Sequence, residues 1–119
     1  MSTVTQAVSE RQFDQEERRV LLDLARSSIS EGLARGIPLQ VSVEDYPEAL
    51  QALRASFVTL QSAGELRGCI GHLEPMQPLV ADVAENAFAA AFRDPRFPPL
   101  RAPELAELHI HISVLGLAE

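Results

Sequence analysis

An α+β fold is what the sequence predicts, a largely antiparallel sheet with a hairpin, covered by amphipathic helices. Three observations predict it. Apolar residues recur at helical spacing over residues 20–33 and again over 79–92. The turn signal Ser62-Ala63-Gly64-Glu65 separates two runs of strand formers. Near the end, Ile110, Ile112 and Val114 alternate with His109, His111 and Ser113, a period-2 pattern with two faces.

Taken in order, residues 1–13 are polar and unpatterned and read as a flexible N-terminal tail, with the domain expected over 14–119. Asp14 with Glu17 three residues on suits a capping box. The stripe Val20, Leu21, Leu24, Ala25, Ser28, Ile29 and Leu33 makes an amphipathic helix, which Gly36 and Pro38 stop. Leu39 to Val43 is a short strand or an extended linker. Pro47 opens a helical turn through Leu50 and Leu53. Phe57 to Gln61 and Leu66 to Leu73 are the hairpin strands. Pro78 starts a second helix whose apolar face is Leu79, Val80, Val83, Ala84, Ala87, Phe88, Ala91 and Phe92, with Asp82, Glu85 and Arg93 outside it. Asp94 before Pro95 ends that helix, because a residue preceding proline avoids the α region. A short turn over 103–108 precedes the strand His109–Leu115.

The chain has 119 residues, one ordinary domain, with 46% hydrophobic and 23% charged residues. Seventeen acidic against ten basic residues give a net charge of -7, which repels phosphate backbones and argues against nucleic acid unless Arg67, Arg93, Arg96 and Arg101 form one patch. A single cysteine, Cys69, cannot close an internal disulfide, and neither a signal peptide nor a membrane-length apolar run is present. The expected address is cytoplasmic, with no membrane contact.

Glu65-Leu-Arg-Gly-Cys-Ile-Gly, followed by Glu74-Pro75, resembles the signature hairpin of the AMME chromosomal region protein 1 (AMMECR) domain family. The stretch Ala87-Phe-Ala-Ala-Ala-Phe-Arg-Asp-Pro-Arg-Phe-Pro-Pro-Leu and the strand Ile112-Ser-Val-Leu resemble that family in the same order and spacing, so that the likeness covers roughly residues 15–119. Two departures stand out. His72 takes the place of a small polar residue and His109 and His111 the place of acidic ones. The family's domain also continues past the Ile-Ser-Val-Leu strand, so the chain resembles a partial domain. The resemblance implies a compact domain whose activity is not known at the family level. In prokaryotes it implies a pathway shared with Memo-like proteins, which are related to dioxygenases, and with radical S-adenosylmethionine proteins.

Cys69 and Arg67 are the candidate catalytic pair, since a reactive thiolate needs a nearby positive charge or base and the two share a face of an extended strand. His72 falls on the opposite face unless Gly71 marks a bulge. The plainer reading, which is favoured, is a buried cysteine packing as a small hydrophobe. Gly68 and Gly71 suit close backbone approach to a ligand, or to the alanine-rich helix over the hairpin, the favoured alternative. His72, Glu74 and Arg96 complete the candidate ligand-binding set. Arg96, with Arg67, suits an anionic small molecule or a partner carboxylate. Three histidines on two strands have no metal spacing, and a solvated polar face is preferred; no metal or cofactor is expected.

The function expected is a binding or accessory domain with a small-molecule or protein partner. The alternative is a cysteine-dependent enzyme acting on a small metabolite. Because the family's domain continues further, an uncovered sheet edge or apolar face is expected, and with it a homodimer or a partner-dependent fold.

Overall fold

The structure, a computed structural model, describes residues 7–8 and 13–115. A four-stranded sheet is formed by β1 (Ala7–Val8), β2 (Ser56–Ser62), β3 (Glu65–Gly71) and β4 (Leu108–Val114), in the order β1-β4-β2-β3. The β4-β2-β3 portion is antiparallel, and β1 joins β4 in parallel. The helices are α1 (Gln15–Arg35), α2 (Leu79–Phe92) and the single turn α3 (Ala102–Leu105).

Local chemistry sets these limits. Asp14 accepts the Glu17 N–H at 2.7 Å and Glu17 accepts the Asp14 N–H at 3.0 Å, so two of the free donors at the start of α1 are satisfied. Gly36 closes α1 in the left-handed region at φ 78°. Ala63 and Gly64 both have positive φ, as a two-residue type I′ hairpin turn requires, and the turn sets the right-handed twist of β2 and β3. Residues 39–43 pair with no strand, and the chain instead makes two short 3₁₀ turns, Val43–Asp45 and Glu48–Leu50.

The expected tail over 1–13 needs correction at its inner end. Ala7–Val8 pairs with His111 and Ile112, and Phe13 is buried in the core with Arg54 above its ring. An isolated phenylalanine carries no periodicity, so only the tertiary structure reveals its burial. The remainder of that segment lies outside the described residues.

One face of the sheet is covered. Val58, Leu60, Ile110 and Ile112 point into the core with Leu21, Ile29, Val80, Val83 and Ala87. α2 is enclosed between α1 and the strands β2 and β3, and most of its residues are buried. The alternate positions Phe57, Thr59, Cys69, His109, His111 and Ser113 lie on the other face and are partly exposed.

Candidate functional site

The segment Glu65–Gly71 forms β3, the outer strand of the sheet. Leu60 pairs with Gly68 and Gln61 with Leu66, which leaves Arg67 as the extra residue of a β-bulge. The irregularity is therefore at Arg67 and not at Gly71. Beyond it the alternation is regular: Gly68 and Ile70 face α2 and Cys69 faces away.

Gly68 sits directly beneath α2, where a Cβ would be driven into the carbonyl oxygen of Ala90. At Gly71 a Cβ would be driven into the Phe57 ring and the Ser56 carbonyl. Both close approaches are thus to the chain's own atoms, which corrects the ligand-facing alternative for these two glycines: helix and side chain already fill the space.

The Cys69 thiol lies 3.2 Å from Thr59 Oγ1, and Thr59 is in turn opposite His111 on β4. The register therefore sets Cys69, Thr59 and His111 in one row across the open face. The Cys69 N–H, pointing outward from the sheet, donates to Asp94 Oδ2 at 3.0 Å. His72 lies on the α2 side, its Nδ1 3.9 Å from Asp82 Oδ1, well removed from a pairing with the thiol.

Arg67 is not aimed at Cys69. Its Nε donates to Glu104 Oε2 at 2.9 Å, its Nη2 donates to Glu104 Oε1 and to the Pro98 carbonyl, and the guanidinium lies over Phe97. The expectation that Arg67 activates the thiol is corrected on this point: the bulge carries its side chain to the 97–104 loop. Arg96 makes a two-pronged contact with Asp94 at 2.9 and 2.7 Å, and it too lies over Phe97. The two arginines thus engage two separate carboxylates instead of forming one anion site.

These pairings perturb the acids. The Arg96 hydrogen bond, with help from the Cys69 and Arg96 N–H groups and against the effect of desolvation, holds the buried Asp94 well below the usual carboxylate range. Arg67, and then the Arg101 N–H, lower Glu104 in the same way.

On the other side of β3 the polar groups are inside. Asp82 is buried and accepts from Ser56 Oγ at 2.7 Å, Asn86 Nδ2 at 3.0 Å and Gln77 Nε2 at 3.2 Å. Asn86 also donates to the Ser56 carbonyl and hydroxyl. A cleft of about 280 Å³ opens beside this network, lined by His72, Glu85, Asn86, Arg93, Ile70 and Phe88 among others. Glu74 is exposed on the loop after β3. No group of His, Cys, Asp and Glu with metal-binding geometry occurs among the described residues.

The outer strand, the loop that returns to it and β4 coincide with the three stretches of sequence likeness, and a model of the AMMECR1 family matches residues 22–119. The chain belongs to the AMMECR1 family. A protein of Methanothermobacter thermautotrophicus is 42% identical over 103 residues, which are 87% of this chain and 53% of the relative. A Saccharolobus solfataricus protein is 40% identical over 112 residues, 91% of this chain and 48% of the relative. The crystal structure of an uncharacterized Pyrococcus horikoshii protein superposes with a TM-score of 0.81 at 35% identity, covering 88% of this chain and 54% of that one. The chain spans about half the length of the curated relatives it matches.

Within the AMMECR1 fold, three residues escaped the sequence reading. Asp82 reads as solvent-facing on α2, yet it is buried; its signal is Asn86 one helical turn on, two polar residues in an apolar stretch. Asp94 reads only as a helix stop; its contact with Arg96, two residues on, is a local turn, but nothing local marks it as the partner of Cys69. Glu104 is likewise paired across a long sequence separation with Arg67. Among the described residues, no helix is long and apolar enough to cross a membrane.

Proposed function

We infer that this chain is a cytoplasmic binding or accessory domain, taking a small-molecule or protein partner in the pathway shared with Memo-like and radical S-adenosylmethionine proteins. One observation carries the reading: the arginines nearest the signature thiol, Arg67 and Arg96, are held by carboxylates within the chain. Arg67 is held by Glu104, Arg96 by Asp94, and the thiol of Cys69 contacts a threonine hydroxyl, which is no general base. Such pairing builds a rigid surface and leaves little free acid–base chemistry beside the thiol. Alkylation with iodoacetamide near neutral pH tests it. Cys69 should react slowly in the folded protein and readily after denaturation; rapid reaction of the native thiol would overturn the reading.

The second reading, a cysteine-dependent enzyme acting on a small metabolite, has one observation in its favour. Cys69 is partly exposed on the open sheet face, in the same cross-strand row as His111. Rapid native alkylation that is lost in His111→Gln is the result this reading requires.

Self-association or dependence on a partner belongs to the same proposal. Among the described residues, helices cover the sheet on one face only, and Phe57 is partly exposed on the other. The partner or second copy is assigned to that open face, and not to α2, which is enclosed.

A further inference from the structure

Three of the exposed large hydrophobic residues are carried by two segments that the fold fastens side by side. Leu73 is 77% exposed, Met76 76% and Leu53 56%. Leu53 bridges to Pro78, and the Leu79 N–H donates to the Ala52 carbonyl at 2.9 Å, so the strip ending at Leu53 is fastened to the end of the loop that carries Leu73 and Met76. None of the three belongs to the buried core, to which the same segments contribute Leu50 and Leu79, both fully buried. Exposing them costs stability, and a flexible methionine beside leucine is the composition of an adaptable binding surface.

The two segments that carry them hold charges of one sign up to Leu53, and the next residue, Arg54, is buried with its guanidinium on the Leu115 carbonyl. Glu44, Asp45, Glu48 and Glu74 are all exposed, and residues 39–53 and 72–78 contain no lysine or arginine. We propose that the surface formed by Leu53, Leu73 and Met76 docks a basic amphipathic helix of a partner protein, with apolar side chains of the helix on the three residues and its lysines or arginines against the acidic rim. Apolar anchors one helical turn apart suit such a cluster, and the carboxylates steer the basic partner and fix its register. The proposal rests on the reading of the chain as a binding domain and adds a second contact surface, apart from the open sheet face, together with the chemistry of what occupies it.

The test uses the full chain and a fluorescent synthetic Leu/Lys amphipathic helix, with a Leu/Glu helix of the same pattern as its counterpart. The Leu/Lys helix should bind and the Leu/Glu helix should not. Leu73→Ser with Met76→Ser, both exposed and outside the core, should weaken binding on the order of tenfold or more, as loss of central apolar anchors does. Unchanged binding in that double variant would reduce the effect to unspecific charge attraction and overturn the proposal, as would absence of binding or equal binding of both helices. A homodimer that the double variant abolishes would also overturn it, since the surface would then belong to a second copy. Iodoacetamide reactivity of Cys69 is independent of all these outcomes, so a failed docking surface and a failed binding-domain reading are told apart.

Discussion

The backbone N–H of Cys69 donates to the carboxylate of Asp94 at 3.0 Å, joining the outer strand of the sheet to the loop that follows α2. An outer strand presents unpaired donors and acceptors, and Asp94 satisfies one of them. The same carboxylate receives the N–H, Nε and Nη2 of Arg96. The signature hairpin and the Arg-Asp-Pro-Arg loop, separate in sequence, thereby form one unit.

Asp94 makes stability depend on acid. Its folded-state pKa lies below the unfolded value of about 3.9, so its contribution is complete above that value and is lost as pH falls through it towards the folded value. Asp94→Asn should be less stable than the wild type at neutral pH, with the difference shrinking below about pH 4. Urea midpoints at several pH values check this. A difference that stays constant down to pH 2 would show that the charge of Asp94 contributes nothing.

Close packing of α2 gives a second expectation. Ala87 is fully buried and Gly68 lies under the Ala90 carbonyl. Ala87→Leu and Gly68→Ala should each destabilise by about 1–3 kcal/mol through overpacking. Denaturation midpoints equal to the wild type would mean that helix and hairpin separate easily.

The buried network around Asp82 should be sensitive to one truncation. Asn86→Ala removes hydrogen bonds to the buried Ser56 and Asp82, which keep the His72 N–H and the Ser56 hydroxyl and Gln77 amide as their other partners. The bonds lost are to a buried carboxylate and carbonyl, at a cost of about 1–3 kcal/mol. Equilibrium unfolding measures it. A cost well under that range would show that water replaces the amide.

Self-association is decided by light scattering behind a sizing column. The open sheet face predicts a species of twice the chain mass, or a monomer that gains stability from a partner. A concentrated monomer that no partner stabilises would sink this part of the proposal.

Much of the fold was legible because local chemistry and periodicity specify it. The capping pair Asp14 and Glu17, the stop at Gly36, the positive-φ turn at Ala63-Gly64 and the alternation of β4 act over a few residues, and short-range signals survive in sequence. The candidate site was legible only in part. Sequence placed Cys69 and His72 on opposite sides of a strand, but period-2 reasoning cannot foresee a bulge at Arg67, which redirects that side chain to Glu104. It also could not pair Cys69 with Asp94, Ser56 with Asp82, or Leu53 with the loop carrying Met76. Those contacts join segments about 25 residues apart, and they exist only after chain entropy has been overcome by packing of the helices on the sheet. Sequence by itself determined the two long helices, the hairpin and β4 with most of their apolar faces, but not the pairing of Ala7–Val8 with β4. The tertiary structure alone decided which charges are paired, which polar groups are buried and which apolar side chains remain outside, because each depends on what the folded chain brings beside them.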